Sequence, residues 1–367
     1  MQLNCGIVGL PNVGKSTIFS ALTSAPAEAA NYPFCTIEPN VGIVAVPDKR
    51  LYRLAEFIPP QKLIPAVTEF VDIAGLVKGA SKGEGLGNQF LGHIRQVGAI
   101  VHVVRCFDDP DIVHVTGTID PITDIETIEY ELALADLETV LKRRDALAKL
   151  AKSADKQVRD RAAILEPVLK ELEAALQDGR GARTLSLSAE QQDAIYDMHL
   201  ITMKKQLFCC NVDESGLHGG NAYVDKVKAY AGEDDVVTIC GKIESEIAAL
   251  ESPEERQEFL NDLGLEESGL DRLIHTGYHL LDLQTYFTAG EKEIRAWTFG
   301  KGWKAPQAAG VIHTDFERGF IKAEVYHCED LFELGSEQKI KEAGRLRIEG
   351  KEYVVKDGDV VEFRFNV

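Results

Sequence analysis

Gly9-Leu10-Pro11-Asn12-Val13-Gly14-Lys15-Ser16-Thr17 satisfies the pattern G-x-x-x-x-G-K-[ST] at every fixed position, and its reading decides the fold of what surrounds it. The apolar run Leu3 to Val8 before it predicts a short buried strand, and Ser16 to Leu22 after it predicts the first turns of a helix. A strand, a glycine-rich turn and a helix in that order make a phosphate cradle. Successive N–H groups and the helix N-terminus converge on one spot and offset phosphate charge. Lys15 is then expected to reach the β- and γ-phosphates, and the Ser16 hydroxyl to hold Mg²⁺.

Downstream, Asn31-Tyr32-Pro33-Phe34-Cys35-Thr36-Ile37-Glu38-Pro39-Asn40 is too irregular for either periodicity and precedes the strand-like Val41 to Val46. That is where a switch loop belongs, and Thr36 is its candidate Mg²⁺ ligand and γ-phosphate sensor. Val67 to Val71 predicts another buried strand. It delivers Asp72-Ile73-Ala74-Gly75, a D-x-x-G that would set the Asp72 carboxylate near Mg²⁺ and the Gly75 amide near the γ-phosphate. Gly79 to Gly87 is glycine-rich, which predicts a second switch segment over 75–87 that is mobile until nucleotide orders it. Ala99 to Val104 is the next strand, followed by a loop through Asp111-Ile112-Val113-His114-Val115.

Three helical stretches come next, at about 124–150, 155–177 and 188–199. Val158, Ala162, Leu165, Leu169, Leu172 and Leu176 form a heptad-like stripe on the second, in which Pro167 predicts a kink or a new helix start. Residues 138–183 hold 11 Lys or Arg against 8 Asp or Glu, a basic island that includes Arg143, Arg144, Arg159 and Arg161. It suits either an arm tip touching phosphates or a solvated helical hairpin. A strand at Gln206 to Cys210 then leads to Asn211-Val212-Asp213-Glu214, in the position where switch GTPases carry N-K-x-D. Another at Val236 to Cys240 leads to the loop Gly241 to Ser245, placed to pack on the base. Helical patterns run from Glu244 to about His279. From Leu281 the chain reads as an α+β module, with strands at 294–299, 320–326, 353–355 and 360–365 and a helix near 306–314.

A length of 367 residues suggests two or three domains. Met1 to Cys5 runs straight into the first strand without a charged, apolar leader, and no stretch of 18 apolar residues occurs, so a cytoplasmic protein without a membrane partner is expected. A formal charge of -19 argues against broad nucleic-acid affinity: DNA is not an expected partner, and RNA contacts must be local. Seven cysteines without C-x-x-C predict reduced, mostly buried thiols.

The phosphate loop, the segment 31–40, Asp72-Ile73-Ala74-Gly75-Leu76-Val77 and the terminal Asp357-Gly358-Asp359 to Val367 together closely resemble the YchF or Obg-like ATPase family, over the whole chain. The resemblance implies an α/β P-loop NTPase domain of the Ras-like, Obg type at 1–124 and 200–280. It also implies a helical coiled-coil arm at 125–199 and a C-terminal α+β β-grasp (TGS) domain at 281–367. It further implies ATP hydrolysis in preference to GTP, and association with ribosomes, their RNA and proteins. Residue by residue it implies nucleotide contacts at Asn12, Val13, Gly14, Lys15, Ser16 and Thr17, Mg²⁺ ligands at Ser16 and Thr36, and base contacts at Asn211, Val212 and Glu214.

Leu76 stands where Ras-like enzymes orient the attacking water with glutamine, and an apolar side chain cannot do so. His114 is the nearest polar candidate for that catalytic role, with a loop-capping histidine as the alternative. Asn12 lies where some P-loop proteins help hold K⁺, and Cys35 beside Thr36 makes redox control of the switch conceivable. The competing functional readings are a nucleotide-dependent ribosome- or RNA-binding switch with negligible hydrolysis, and a GTP-selective translation GTPase.

Overall fold

Strand β1 (Asn4–Val8) is buried from Cys5 onward and runs through the phosphate loop into helix α1 (Lys15–Ser24), as the apolar run and the helix pattern require. The computed structural model describes residues 3–24, 40–73, 86–114, 117–150, 154–231, 235–250 and 252–366. Thr36, Cys35, Gly75 and Leu76, and with them most of both expected switch segments, lie outside the described residues.

The chain continues through β2 (Val41–Ala45), α2 (Lys49–Phe57), β3 (Leu63–Ile64), β4 (Val67–Asp72), α3 (Leu86–Arg95) and β5 (Ala99–Arg105). Every residue of β5 is buried, as a strand covered on both faces must be. Next are α4 (Pro121–Leu150), α5 (Lys156–Gln177) and α6 (Ala189–Ile195), then β6 (Lys205–Asn211), α7 (Ala222–Ala231) and β7 (Asp235–Ile239). Helices α8 (Gly241–Ala249), α9 (Pro253–Asp262) and α10 (Gly269–Leu280) lead to β8 (Leu283–Ala289) and β9 (Ile294–Gly300). The remainder is α11 (Ala305–Gly310), α12 (Thr314–Arg318), β10 (Phe320–His327), α13 (Cys328–Leu334), α14 (Glu337–Glu342), β11 (Arg347–Glu349) and β12 (Asp359–Phe365).

The described residues fall into two compact units. One takes in 3–24, 40–42 and the described part of 70–270; the other takes in 43–69 and 271–366. The first sheet has the order β2-β4-β1-β5-β6-β7. Its pairs β1–β5, β5–β6 and β6–β7 are parallel, so the loops at their C-terminal ends gather at one edge, where open α/β sheets bind ligands.

Within the first unit, α4 and α5 pack as a helical hairpin closed by α6. Ala162, Leu165, Leu169, Leu172 and Leu176 are all buried there, and Val158 at the end of the stripe is half-buried. Val168 and Ala175 are buried too, so the apolar face is wider than a two-position stripe because α5 meets both α4 and α6. Each buried leucine contributes about 1.5–3 kcal/mol. That packing carries α5 through Pro167 in one span, and no new helix starts there.

The second sheet has the order β11-β10-β12-β8-β9-β3. Its central pair, β8 and β12, is parallel, while β8–β9 and β10–β12 are antiparallel, an α+β arrangement of the kind a β-grasp module requires. The expected helix near 306–314 is two short helices, α11 and α12, and the expected strand at 353–355 is a single bridge between Lys304 and Val354. Helix α2 and strand β3, which belong to this unit, have no counterpart in the sequence reading. α2 buries only Leu51 and Leu54, and β3 is two residues long.

Their position explains why this unit differs from the segment 281–367. Leu63 pairs with Ile294, and the Arg50 guanidinium binds both Asp48 at the start of α2 and Asp357, at 2.8 Å and 2.6 Å. Asp357 also accepts the Thr285 N–H, and the Gly358 N–H returns to the Thr285 carbonyl. Gly358 has φ +85°, and a Cβ there would lie 2.6 Å from the His327 ring, so both conformation and space demand glycine.

Candidate functional site

The phosphate loop turns on two left-handed residues, Asn12 (φ 64°) and Gly14 (φ 91°). Asparagine tolerates that region and glycine enters it without penalty. Gly9 is needed for a different reason: a Cβ there would sit 2.8 Å from the Val103 carbonyl of β5. Once past Gly14 the chain is helical, and the Ile18 N–H closes the first turn on the Gly14 carbonyl.

Two brackets hold this loop. Lys15 forms an ion pair with Asp72 at the end of β4, and β4 is itself fastened by Asp72 N–H to the Asn40 carbonyl and Ile73 N–H to the Ile7 carbonyl. On the other side, Asn211 Nδ2 donates to the Val13 carbonyl at 2.9 Å while its Oδ1 accepts the Gly241 N–H at 3.0 Å. Asn211 is buried, so this one amide joins the phosphate loop to the start of α8.

Beside the loop lies a cavity of about 1070 Å³, lined by Asn12, Gly14 and Thr17 of the phosphate loop and α1 and by Asn211, Val212 and Glu214 at and after the end of β6. Lys242 lines it as well and pairs with Glu214 at 2.8 Å, a contact that raises the lysine above its usual range. Asp213 lines the cavity too, and its carboxylate accepts from Ser215 and from the Gly216 N–H, capping a short turn. Cys240 immediately precedes α8 at the cavity wall, where burial raises its thiol. The six cysteines among the described residues are all free and buried.

Phe107, Asp109 and Ile112 supply a further wall from the loop after β5. This loop is tightly built. The buried Arg105 donates from Nε to the Phe107 carbonyl, and from its two terminal nitrogens to the carbonyls of Ile112 and Asp109, at 3.2, 2.9 and 3.2 Å. Asn221 donates to the Cys106 carbonyl, and Asn12 donates to the Val113 carbonyl at 3.1 Å. His114 ends the loop buried, with Nε2 2.9 Å from Asp124 Oδ2 on α4. Burial pushes the Asp124 carboxyl up, although His114 and Arg105 both favour its ionised form.

Of the residues expected from sequence, Asn12, Gly14, Thr17, Asn211, Val212 and Glu214 line one cavity, and Val13 joins through its carbonyl. Lys15 and Asp72 meet, and Ser16 is exposed in the first turn of α1 beside them. His114 stands off the cavity wall, linked to it through Val113 and Asn12. Ser16 and Asp72 offer hard oxygen donors, which suits Mg²⁺, an ion that takes few protein ligands and completes its shell with phosphate and water. No cluster of three His, Cys, Asp or Glu able to cage a metal exists among the described residues.

Arg105, Phe107 and Asp124 were not singled out as site residues from sequence, and Ile112 and Lys242 fell within the loops 111–115 and 241–245 without a role of their own. Only Arg105 carried a signal, as a cation ending an otherwise apolar buried strand.

A strand-loop-helix phosphate cradle at the C-terminal edge of a largely parallel sheet, with Asp72 at the end of β4 paired to its lysine, defines a P-loop nucleoside triphosphatase domain. A family model described as 50S ribosome-binding GTPase matches residues 4–152, and one for the YchF GTPase C-terminal domain, described as a protein of unknown function, matches 283–366. Curated proteins named Ribosome-binding ATPase YchF from Bacillus subtilis and Haemophilus influenzae are 58% and 55% identical, each alignment covering 100% of both chains. The solved structure of the Schizosaccharomyces pombe YchF GTPase superposes with a TM-score of 0.89 at 40% identity, over 99% of this chain and 98% of that one. The chain belongs to the YchF family. Among its described residues no helix is long and apolar enough to cross a membrane.

Proposed function

We propose that this chain is a ribosome-associated, Mg²⁺-dependent P-loop ATPase of the cytoplasm, hydrolysing ATP to ADP and phosphate as a conformational switch. The relatives' names support the ribosome and the ATPase reaction. The base end of the cavity supports adenine in particular, and this observation carries the reading. Guanine presents N1–H and N2–H₂ donors that one aspartate accepts together, and here Glu214 stands in that position with its carboxylate held by Lys242. Val212, buried and apolar, replaces the lysine whose stem covers the base in GTPases. Guanine's donors would be left without partners, at a cost of about 1–3 kcal/mol.

In this reading the phosphate-loop amides and Lys15 hold the phosphates, Lys15 leaving Asp72 to do so. Ser16, Asp72 and Thr36 would hold Mg²⁺, which neutralises charge on the β- and γ-oxygens, and Gly75 would contact the γ-phosphate. His114 is the proposed base: Asp124, 2.9 Å from its Nε2, orients the ring, and a neutral imidazole can accept a proton from water. K⁺ beside Asn12 is part of the proposal; the Asn12 amide donates to Val113, and its oxygen remains the candidate ligand. Residues 1–124 and 200–280 would do the nucleotide chemistry, and the arm (125–199) and the TGS domain (281–367) would contact ribosomal RNA and proteins.

Competition of ATP and GTP for the purified protein tests the base assignment. ATP should bind at least several-fold tighter, and Glu214→Asp should narrow the gap. Tighter GTP binding by the unaltered chain would replace the ATPase with a translation-type GTPase. Co-sedimentation with ribosomes that depends on the bound nucleotide tests partner and switch together.

A further inference from the structure

We propose that Arg105 is a positioning residue for hydrolysis, holding the loop 107–114 over the nucleotide cavity in the one arrangement that delivers His114 to the water. The inference rests on the ATPase reading above.

Arg105 ends β5, the most deeply buried strand of the first sheet, and is itself 1% exposed. Burying a guanidinium is costly, and an apolar residue would fill the same place without that penalty. Among the described residues Arg105 forms no ion pair with any carboxylate. Its donors go to three backbone carbonyls of one loop, and its Cζ lies 4.6 Å from the Phe107 ring centroid. Three separate carbonyls within six residues, 107, 109 and 112, can be gathered onto one side chain only if the loop curls around it. Arg105 thus acts as a template for the loop's path. A lysine, with one compact ammonium, lacks the planar fork that reaches all three.

The curl has two consequences for the site. It points the Val113 carbonyl at Asn12, so the loop is fastened to the phosphate loop, and it brings His114 onto Asp124. The charge of Arg105 also favours the ionised form of Asp124, the carboxylate that orients the imidazole. Among the described residues the hydrogen bonds of the Arg105 side chain all go to the loop itself, so its effect travels through the loop.

The test uses Arg105→Gln and Arg105→Lys in the full-length protein, alone and combined with His114→Ala, with kcat, ATP Kd and amide exchange of the loop as readouts. Each single variant should lower kcat by about tenfold or more with ATP Kd within about threefold, and should speed exchange at 107–114 while α1 and β1 keep their protection. In the His114→Ala background the same substitutions should change kcat by less than about twofold, since both act through one step. Parental kcat in Arg105→Gln would overturn the proposal, and so, where His114→Ala itself lowers kcat, would an equal fractional loss with and without His114. If His114→Ala alone keeps parental kcat while Arg105→Gln loses activity with a loosened loop, the histidine assignment fails and the Arg105 template stands, serving another group of the loop. Loss of activity with exchange raised throughout the first unit would mark Arg105 as a stability residue only and overturn it.

Discussion

The Asn12 side-chain amide donates to the Val113 carbonyl at 3.1 Å, across 101 positions of sequence. The residue at the bend of the phosphate loop therefore touches the residue immediately before the proposed base. In the proposed reading, a nucleotide that repositions the phosphate loop would act through this hydrogen bond on the loop that carries His114.

His114→Ala should lower kcat while ATP Kd stays within about twofold, because the ring is buried on Asp124 and does not line the cavity. Asp124→Asn keeps the shape but can present a donor to Nε2, which favours the wrong tautomer. A smaller loss of kcat, with intact ATP binding, is expected there by steady-state kinetics. Unchanged kcat in both variants would remove the dyad from the mechanism.

Gly14→Ala should abolish productive nucleotide binding. Its φ of +91° costs an alanine about 1–2 kcal/mol, and the new Cβ would fall 2.1 Å from Asn211 Nδ2, breaking the bracket to Val13 and Gly241. Calorimetry should show ATP Kd raised by at least about tenfold, with the second unit's thermal unfolding unaltered.

The arm's arginines are already engaged. Arg143 and Arg161 share Asp197, and Arg144 binds Glu173 at 2.6 Å. Asp197→Asn should release two guanidinium groups, so if the arm meets ribosomal RNA, association should tighten. Its salt dependence should steepen by up to about 0.9 log units of K per log salt for each phosphate gained. Co-sedimentation across a salt series measures this; an unchanged slope assigns ribosome contact to another surface.

Acid should destabilise the first unit through His102. Burial, with a smaller contribution from Arg183, lowers this histidine to about 3, whereas in the unfolded chain it titrates near 6.5. Between those values the unfolded state binds a proton that the folded state refuses, so stability falls as pH drops below 6.5, by about 1.4 kcal/mol per unit from this group. His102→Leu should flatten that part of the urea-midpoint profile between pH 6.5 and 4.5. A profile parallel to the parent's would contradict it.

Local pattern was enough for the phosphate loop and its flanking strand and helix, for the buried strands of the first sheet, and for the long helices of the arm. Each of these is encoded in a run of neighbouring residues: a glycine spacing, an unbroken apolar stretch, a repeat near 3.5. Elements whose stability comes from distant partners were not legible in this way. Helix α2 is short and holds on through Arg50 to a carboxylate 307 positions away, and β3 exists because β9 offers it an edge.

The same division runs through the site. By itself the sequence determined which residue types stand on the phosphate loop and that Val212 and Glu214 stand where switch GTPases carry lysine and aspartate, since those facts are chemical identities at fixed spacings. Tertiary structure alone decided that Asn211 clamps Val13 to Gly241, that Lys242 engages Glu214, that His114 rests on Asp124, and that Arg105 curls a loop around its guanidinium. These are hydrogen bonds among groups brought close by strand order. A polar side chain carries no record in sequence of which distant carbonyl or carboxylate the fold will set beside it, because that partner is chosen by packing, not by the local chain.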